Sequence, residues 1–295
     1  MKIGAIVPSA GPLPQLLGVA EMARSAEEAG AASLWVSDHV VLSKESLADY
    51  PYSKDGNLTW DAKGDYFEAL SMCAYIAGVT QQCEIGTAIL VLPQRNVIQT
   101  AKEVATIDAL SQGRLVLGIA AGWNRVEMES LGYHFATRGK RMDEMIQVLR
   151  ECWTGQPSAF NGQHVHLPGN LLLFPRPVQQ PGPLMMVGGM TAVAVRRAAR
   201  LGDGWLPLMF IDRWEGDQLA AMSHLMRSES EASGRDTKLR WTLKLHCPPD
   251  HVDQIPARLE EIARLGFDEV IIEAPFASGI DAASTVIADT VAAWS

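Results

Sequence analysis

Three short stretches of this chain bring together residue types that do chemistry. Asp38 and His39 stand side by side after the apolar run Leu34-Trp35-Val36. A carboxylate beside an imidazole could fix the ring's tautomer or raise its pKa, making a proton donor near neutral pH; a helix-capping Asp beside a packing His would leave the same two letters. Gly188-Gly189-Met190-Thr191 lies between an apolar run and the helical Ala192-Val193-Ala194. Backbone N–H groups of such a turn could converge on an anion, with a phosphate as the natural fit. A tight turn with Thr191 as N-cap is the alternative, although two glycines exceed what a cap needs. Gly118, Gly122, Trp123, Asn124 and Arg125 offer a small-residue floor beside a large aromatic, which could receive a planar ligand or simply pack the indole under the next helix.

Other candidates read more plainly. Glu127 and Glu129 suit a wet helical turn better than an acid pair. His164-x-His166 invites a metal, but two like side chains on one face of a strand account for it, and no metal site is expected. Neither a Gly-x-Ser-x-Gly elbow nor a Gly-x-x-x-x-Gly-Lys-Ser/Thr loop is present, which removes the commonest serine-hydrolase and nucleotide-triphosphatase readings.

Such residues act together only if the fold gathers them. Strand-like apolar runs fall at 3–7, 33–36, 84–90, 115–119, 184–187, 204–207, 241–246 and 269–272, mostly separated by helical patterns such as Met142, Met145, Ile146, Leu149 and Trp153. Their continuous rather than alternating apolar character suits a parallel sheet covered on both faces. An eightfold β/α barrel follows, α/β in class, as one domain over 1–295, with its chemistry at the mouth where the strands end. Two long departures interrupt it. Residues 40–65, with Tyr50, Tyr52 and Trp60, read as a loop over the mouth; the proline-rich segment 157–183 precedes the fifth strand, and Phe160-Asn161-Gly162-Gln163 in it reads as the turn that begins a short hairpin.

A net charge of -9 argues against nucleic acid or anionic membrane as partner, since both are held by clustered Lys and Arg. Arg196, Arg197 and Arg200 fit a solvated helix face. No apolar run nears the roughly 20 residues of a spanning helix, and the N-terminal run is too brief for a signal segment, so a cytoplasmic protein is expected. Cys73, Cys83, Cys152 and Cys247 are scattered and suit buried reduced thiols.

Taken in order, Ser37-Asp38-His39, Gly86-Thr87-Ala88-Ile89-Leu90 with Arg95-Asn96, residues 105–114, Gly118 to Trp123, Arg138-Gly139, Val187-Gly188-Gly189 and Gly202-Asp203-Gly204-Trp205 resemble the bacterial luciferase-like superfamily over nearly the whole chain, in its branch of F420-dependent oxidoreductases. That resemblance implies an eightfold barrel with an insertion before the fifth strand. It also implies coenzyme F420, or alternatively FMN, in the mouth. Carried over by position, Asp38 and His39 match the Asp-His near the ring, Ala88 and Leu90 the strand beside it, and Gly122 with Trp123 the place beneath it. Gly188, Gly189, Met190 and Thr191 match the phosphate turn, and a non-prolyl cis peptide is implied at Ala88-Ile89. His39 is the expected proton donor.

Sugar-phosphate dehydrogenases of that branch carry a Trp four residues after the His and a Glu directly after the strand-four glycine, where this chain has Ser43 and Trp123. With Tyr50, Trp60 and Trp123 at the mouth, the substrate expected is an apolar or aromatic molecule with a carbonyl or unsaturated bond. An FMN-dependent monooxygenase fed by a separate flavin reductase is the alternative; a non-catalytic flavin-binding protein and a lyase using Lys244 as a Schiff-base amine are the readings from other classes. The resemblance implies a homodimer, for which the helix around Met72, Cys73, Tyr75 and Ile76 could supply a seam or could face the core.

Overall fold

Each run read as a strand from its unbroken apolar character forms one, and each pairs in parallel with its neighbours. The computed structural model describes residues 1–44, 50–53, 56–58, 61–234 and 238–294. In chain order the elements are β1 (Lys2–Ile6), α1 (Val19–Glu28), β2 (Ser33–Val36), α2 (Ala69–Val79), β3 (Glu84–Thr87), β4 (Leu90–Val91), α3 (Val97–Leu110), β5 (Leu115–Ala120), α4 (Arg125–Ser130), α5 (Arg138–Trp153), β6 (Phe160–Asn161), β7 (His166–Leu167), β8 (Leu184–Gly188), α6 (Ala192–Leu201), β9 (Gly204–Leu206), β10 (Leu208–Phe210), α7 (Gly216–Ala232), β11 (Arg240–His246), α8 (Ile255–Arg264), β12 (Glu269–Ile272) and α9 (Ile280–Trp294). Among the described residues, β1, β2, β3, β5, β8, β9, β11 and β12 hydrogen-bond in that order, and β12 returns to β1, so eight parallel strands close into a barrel.

Side chains pointing outward, such as Leu34, Ile85, Leu117 and Val270, merge with the inner faces of the helices into one buried layer. Those pointing inward stack in tiers, as alternation along a strand requires. The lowest tier is polar. Arg240 holds Glu84 with two bonds of 2.9 and 2.6 Å and Glu269 with one of 2.6 Å, Ser33 donates to Glu269, and the Trp35 indole N–H donates to Ser33 at 2.6 Å. Above it, Ile6, Trp35, Ala88, Val116, Met186, Leu206 and Ile271 form an apolar plug. Gly118 belongs to this wall, not to a ligand floor: a Cβ there would run into the Thr87 carbonyl, and Thr87 Oγ1 donates to Gly118 O at 2.7 Å.

Of the two departures from a minimal barrel, the first forms no helix or strand in its described residues, 40–44, 50–53, 56–58 and 61–65. In the proline-rich segment β6 and β7 pair as an antiparallel hairpin, with Phe160 and Asn161 in its first strand and its turn just after them. The Glu144 carboxylate of α5 pins that turn by accepting the N–H groups of Gln163, His164 and Val165 at 2.9, 2.8 and 2.8 Å. His164 therefore lies in the turn and only His166 in a strand, which corrects the reading of both on one strand face. On α2, Met72, Cys73 and Ile76 face the core and Tyr75 is exposed, so of these four only Tyr75 offers surface to a partner. All four cysteines are buried and unpaired. Among the described residues, no helix is long and apolar enough to cross a membrane.

Candidate active site

The mouth lies where the strands end, and its first chemical pair comes from two of them. His39, just past β2, places Nδ1 2.7 Å from Oε2 of Glu127, with both side chains almost wholly buried. Glu127 sits in the first turn of α4, whose N-cap Asn124 accepts its N–H at 3.1 Å. A glutamate at that capping-box position ordinarily reaches back to its own helix start. Here its second oxygen accepts the Val40 N–H at 2.6 Å and the Gln94 amide at 3.1 Å. Burial alone would push the Glu127 carboxyl up, but the bonds from His39 and from the Val40 and Val41 N–H groups outweigh it and hold it below the ordinary glutamate value. An ionised carboxylate can only accept, so Nδ1 carries the hydrogen and Nε2 is the nitrogen that takes up or releases a proton. This corrects the reading of Glu127 as a wet helical residue.

Asp38 has a different task from the one its place beside His39 suggests. Successive residues on extended chain point to opposite sides, so while His39 turns to Glu127, Asp38 turns into the wall. Its oxygens accept the Val91 N–H at 2.8 Å and Arg95 at 2.7 Å, and Arg95 also reaches Glu68 at 2.9 Å. Burial raises the Asp38 carboxyl, with Arg95 and the Val91 amide pulling against it. Asp38 is thus a positioning residue for the segment 88–91, and its reading as the partner of His39 is corrected to Glu127. In that segment the Ala88-Ile89 peptide is cis, as the resemblance implies. Ala88 and Ile89 face the barrel axis. Leu90 is completely buried in the outer apolar layer, so its assignment as a cofactor contact is corrected.

Aromatic rings gather around His39. Tyr66 and Trp123 meet it edge-on at 5.4 and 5.7 Å, and Tyr50 meets Trp123 at 5.4 Å. Trp123 is half-buried at the mouth rather than packed in the core. Gly122 beside it has φ 81°, and a Cβ there would lie 2.5 Å from Val91 Cγ1. Trp60 lies outside the described residues. Burial raises the Tyr50 and Tyr66 hydroxyls, keeping both as neutral phenols. Tyr66 carried no signal of its own in the sequence.

At the end of β8, bare backbone faces Ile89: a Cβ on Gly188 would sit 2.9 Å from Ile89 Cγ2. Gly189 has φ 120° and a Cβ there would meet that of Ala194 at 2.9 Å, so only glycine fits this turn without strain. Trp205 holds the turn by donating to Gly189 O at 2.9 Å, and the Thr191 hydroxyl caps α6 by accepting the Ala194 N–H at 3.3 Å. Half-buried Met190 completes it. Helix starts leave their first N–H groups to outside acceptors. A flat ring against Ile89 therefore fits the residues present, with an anionic tail at the start of α6 beside Gly188-Gly189 rather than on the Gly189 N–H, which is given to Leu206 O.

Across the mouth from His39 stands a second titratable group that the sequence reading left unassembled. Lys244 pairs with Glu273 at 3.6 Å, and the other Glu273 oxygen lies 2.5 Å from Nδ1 of His246. Lys244, the candidate Schiff-base lysine of the lyase reading, is thus held in an ion pair. The signal was available: Glu269 and Ile271 point inward, so period two carries Glu273 inward as well. Among the described residues, no cluster of three or more His, Cys, Asp and Glu could hold a metal ion.

The model of the luciferase-like monooxygenase family matches residues 3–258. An uncharacterized protein of Mycobacterium tuberculosis is 35% identical over 185 residues, 63% of this chain and 63% of that protein, so the match spans under two thirds of the relative. F420-dependent glucose-6-phosphate dehydrogenase of Amycolatopsis mediterranei is 32% identical over 191 residues, 63% of this chain and 51% of that one. Among solved structures, an F420-dependent secondary alcohol dehydrogenase in complex with an F420-acetone adduct superposes with a TM-score of 0.79 at 16% identity, covering 99% of this chain and 98% of that one. The FMN-bound oxygenating constituent of 3,6-diketocamphane monooxygenase, from the CAM plasmid of Pseudomonas putida, does so with a TM-score of 0.73 at 15% identity and the same coverage. At such identities the solved structures speak for the fold alone. Since the family match runs without a break from β1 into α8, the chain belongs to the luciferase-like monooxygenase family.

Proposed function

We infer that this protein is an oxidoreductase that receives coenzyme F420, or alternatively FMN, in the barrel mouth and reduces a carbonyl or unsaturated bond of an apolar or aromatic molecule. The observation that carries this reading is the buried His39–Glu127 pair beside Trp123, on the same rim as the Gly188-Gly189 turn. When bound, such a coenzyme supplies the hydride. Ala88, Ile89, Gly122 and Gly188 would hold its ring, and Gly189, Met190 and Thr191 its phosphate. Trp123, Tyr66 and Tyr50 exclude water from the mouth. His39 gives its Nε2 proton to the substrate oxygen or carbon, and the Glu127 carboxylate stabilises the imidazolium before the proton leaves.

Ser43 and Trp123 stand where the sugar-phosphate dehydrogenases of the resembled branch carry a Trp and a Glu, and they favour a substrate without a sugar phosphate. The runner-up is oxygen insertion with FMN delivered reduced by a partner reductase; the family's own description and the FMN-bound structural neighbour support it. Titration of the purified chain with oxidised F420 and with FMN, followed by absorbance and fluorescence, separates these readings. We expect saturable binding of F420, and stoichiometric FMN with rapid oxygen uptake on reduction would move the assignment to the monooxygenase. If neither coenzyme binds, the oxidoreductase reading is wrong.

A further inference from the structure

The mouth is lopsided. Alternation along the strands brings Ser37, Ala88, Ala120 and Gly188 to its rim on one side, all of them small, whereas β11 and the end of β12 bring Lys244, His246 and Glu273. The small side carries no long side chain of its own, and Lys244 reaches across to Ser37 and Ala88 on it. The charged side faces whatever is bound next to it.

Lys244 is poised in an uncommon way. Its Nζ lies 3.4 Å from Ala88 O, 3.5 Å from Ser37 Oγ and 3.6 Å from Glu273 Oε1. Each distance exceeds the roughly 2.7–3.2 Å of a well-formed N–H···O bond. Three acceptors thus bracket the ammonium without any of them making a short bond, in a side chain that is only 13% exposed. Burial would push the Glu273 carboxyl up, but the His246 bond and the Lys244 charge hold it low, so the lysine keeps its counter-charge. From this pair an arc of rings crosses to the proton donor: His246 meets Phe210 at 5.1 Å, Phe210 meets Tyr52 at 6.4 Å, and Tyr52 leads through Tyr50 and Trp123 to His39.

We propose that Lys244 is a specificity-determining residue that takes the carboxylate of an aromatic acid, while the arc of rings receives the aromatic part. The proposal rests on reading the mouth as the substrate site, and it narrows the substrate from any apolar or aromatic molecule to an aromatic acid. A carboxylate oxygen offers the short, charge-assisted bond that Ser37, Ala88 and Glu273 do not supply. The ring then lies along the arc toward His39.

The test is calorimetric titration of the full chain, without coenzyme, using 2-naphthoate and its neutral counterpart 2-naphthalenemethanol. The wild-type chain should bind the carboxylate about tenfold more tightly or better, the scale of one charge-assisted hydrogen bond. Lys244→Met should abolish that preference and leave affinity for the alcohol unchanged. Glu273→Gln removes the competing anion and should tighten naphthoate binding by about threefold or more, a gain that a purely structural role would not produce. Equal wild-type affinities, no measurable naphthoate binding, a preference that survives in Lys244→Met, or a folded Glu273→Gln variant that binds naphthoate no better would each overturn the proposal. A preference for naphthoate in a chain that binds neither coenzyme would leave this subsite standing and remove the oxidoreductase reading instead.

Discussion

His39 and Asp38 are neighbours in the chain, yet the wall they belong to gives them opposite duties. His39 meets Glu127 at the mouth, and Asp38 meets Arg95 and the Val91 amide behind it. If His39 supplies the proton, His39→Ala should lower turnover by about 10²–10⁴-fold, the usual share of general acid catalysis. Coenzyme affinity, measured by fluorescence titration, should stay near wild type, because the proposed resting place of the ring is Ala88, Ile89 and Gly188 rather than His39. Glu127 adds a pH dependence whose sign follows from its low folded-state pKa. Its contribution to stability is complete above the ordinary value of 4.5 and is withdrawn as the pH falls through the lower folded-state value. Denaturant midpoints measured down the acid limb should therefore fall less steeply for Glu127→Gln than for the parent chain. An unchanged slope would show that folding does not hold the Glu127 carboxyl below its ordinary value.

Among the elements, the turn from β8 into α6 shows what spacing alone conveys. Two glycines before a helix signalled an anion cradle. The structure adds that Gly189 stands at φ 120° with Ala194 crowding it, and that Gly188 clears room beside Ile89. Gly189→Ala should lower stability by about 1–3 kcal/mol from backbone strain and weaken coenzyme binding along with it. Melting curves with and without coenzyme would separate the two effects, and coenzyme affinity that is unaffected would move the phosphate elsewhere. Strand positions were legible because both faces of each barrel strand are covered, which writes them as unbroken apolar runs. Glu127 was not legible, because a carboxylate in the first turn of a helix is usually solvated and nothing local announces that His39 covers it.

At the scale of the whole molecule, the barrel divides its labour between its ends. Arg240, Glu84, Glu269, Ser33 and Trp35 lock the lower end, far along the strands from the mouth. Arg240→Met would leave Glu269 buried without its counter-charge and should cost about 3–5 kcal/mol of stability. Chemical denaturation checks this, and coenzyme affinity below the unfolding transition should remain at the wild-type level, since this layer braces the end of the barrel away from the mouth.

Local chemistry written in short stretches was enough to define the strands, the barrel they close, the glycine turn and His39 as the group to watch, because periodicity and turn residues act over a few neighbours. Which carboxylate reaches His39, which way Asp38 and Leu90 face, and that Lys244 and His246 share Glu273 between neighbouring strands were decided only by the tertiary structure. Those contacts join residues 27 to 88 positions apart, and no local pattern encodes which side chains meet once separate strands and helices pack into one barrel.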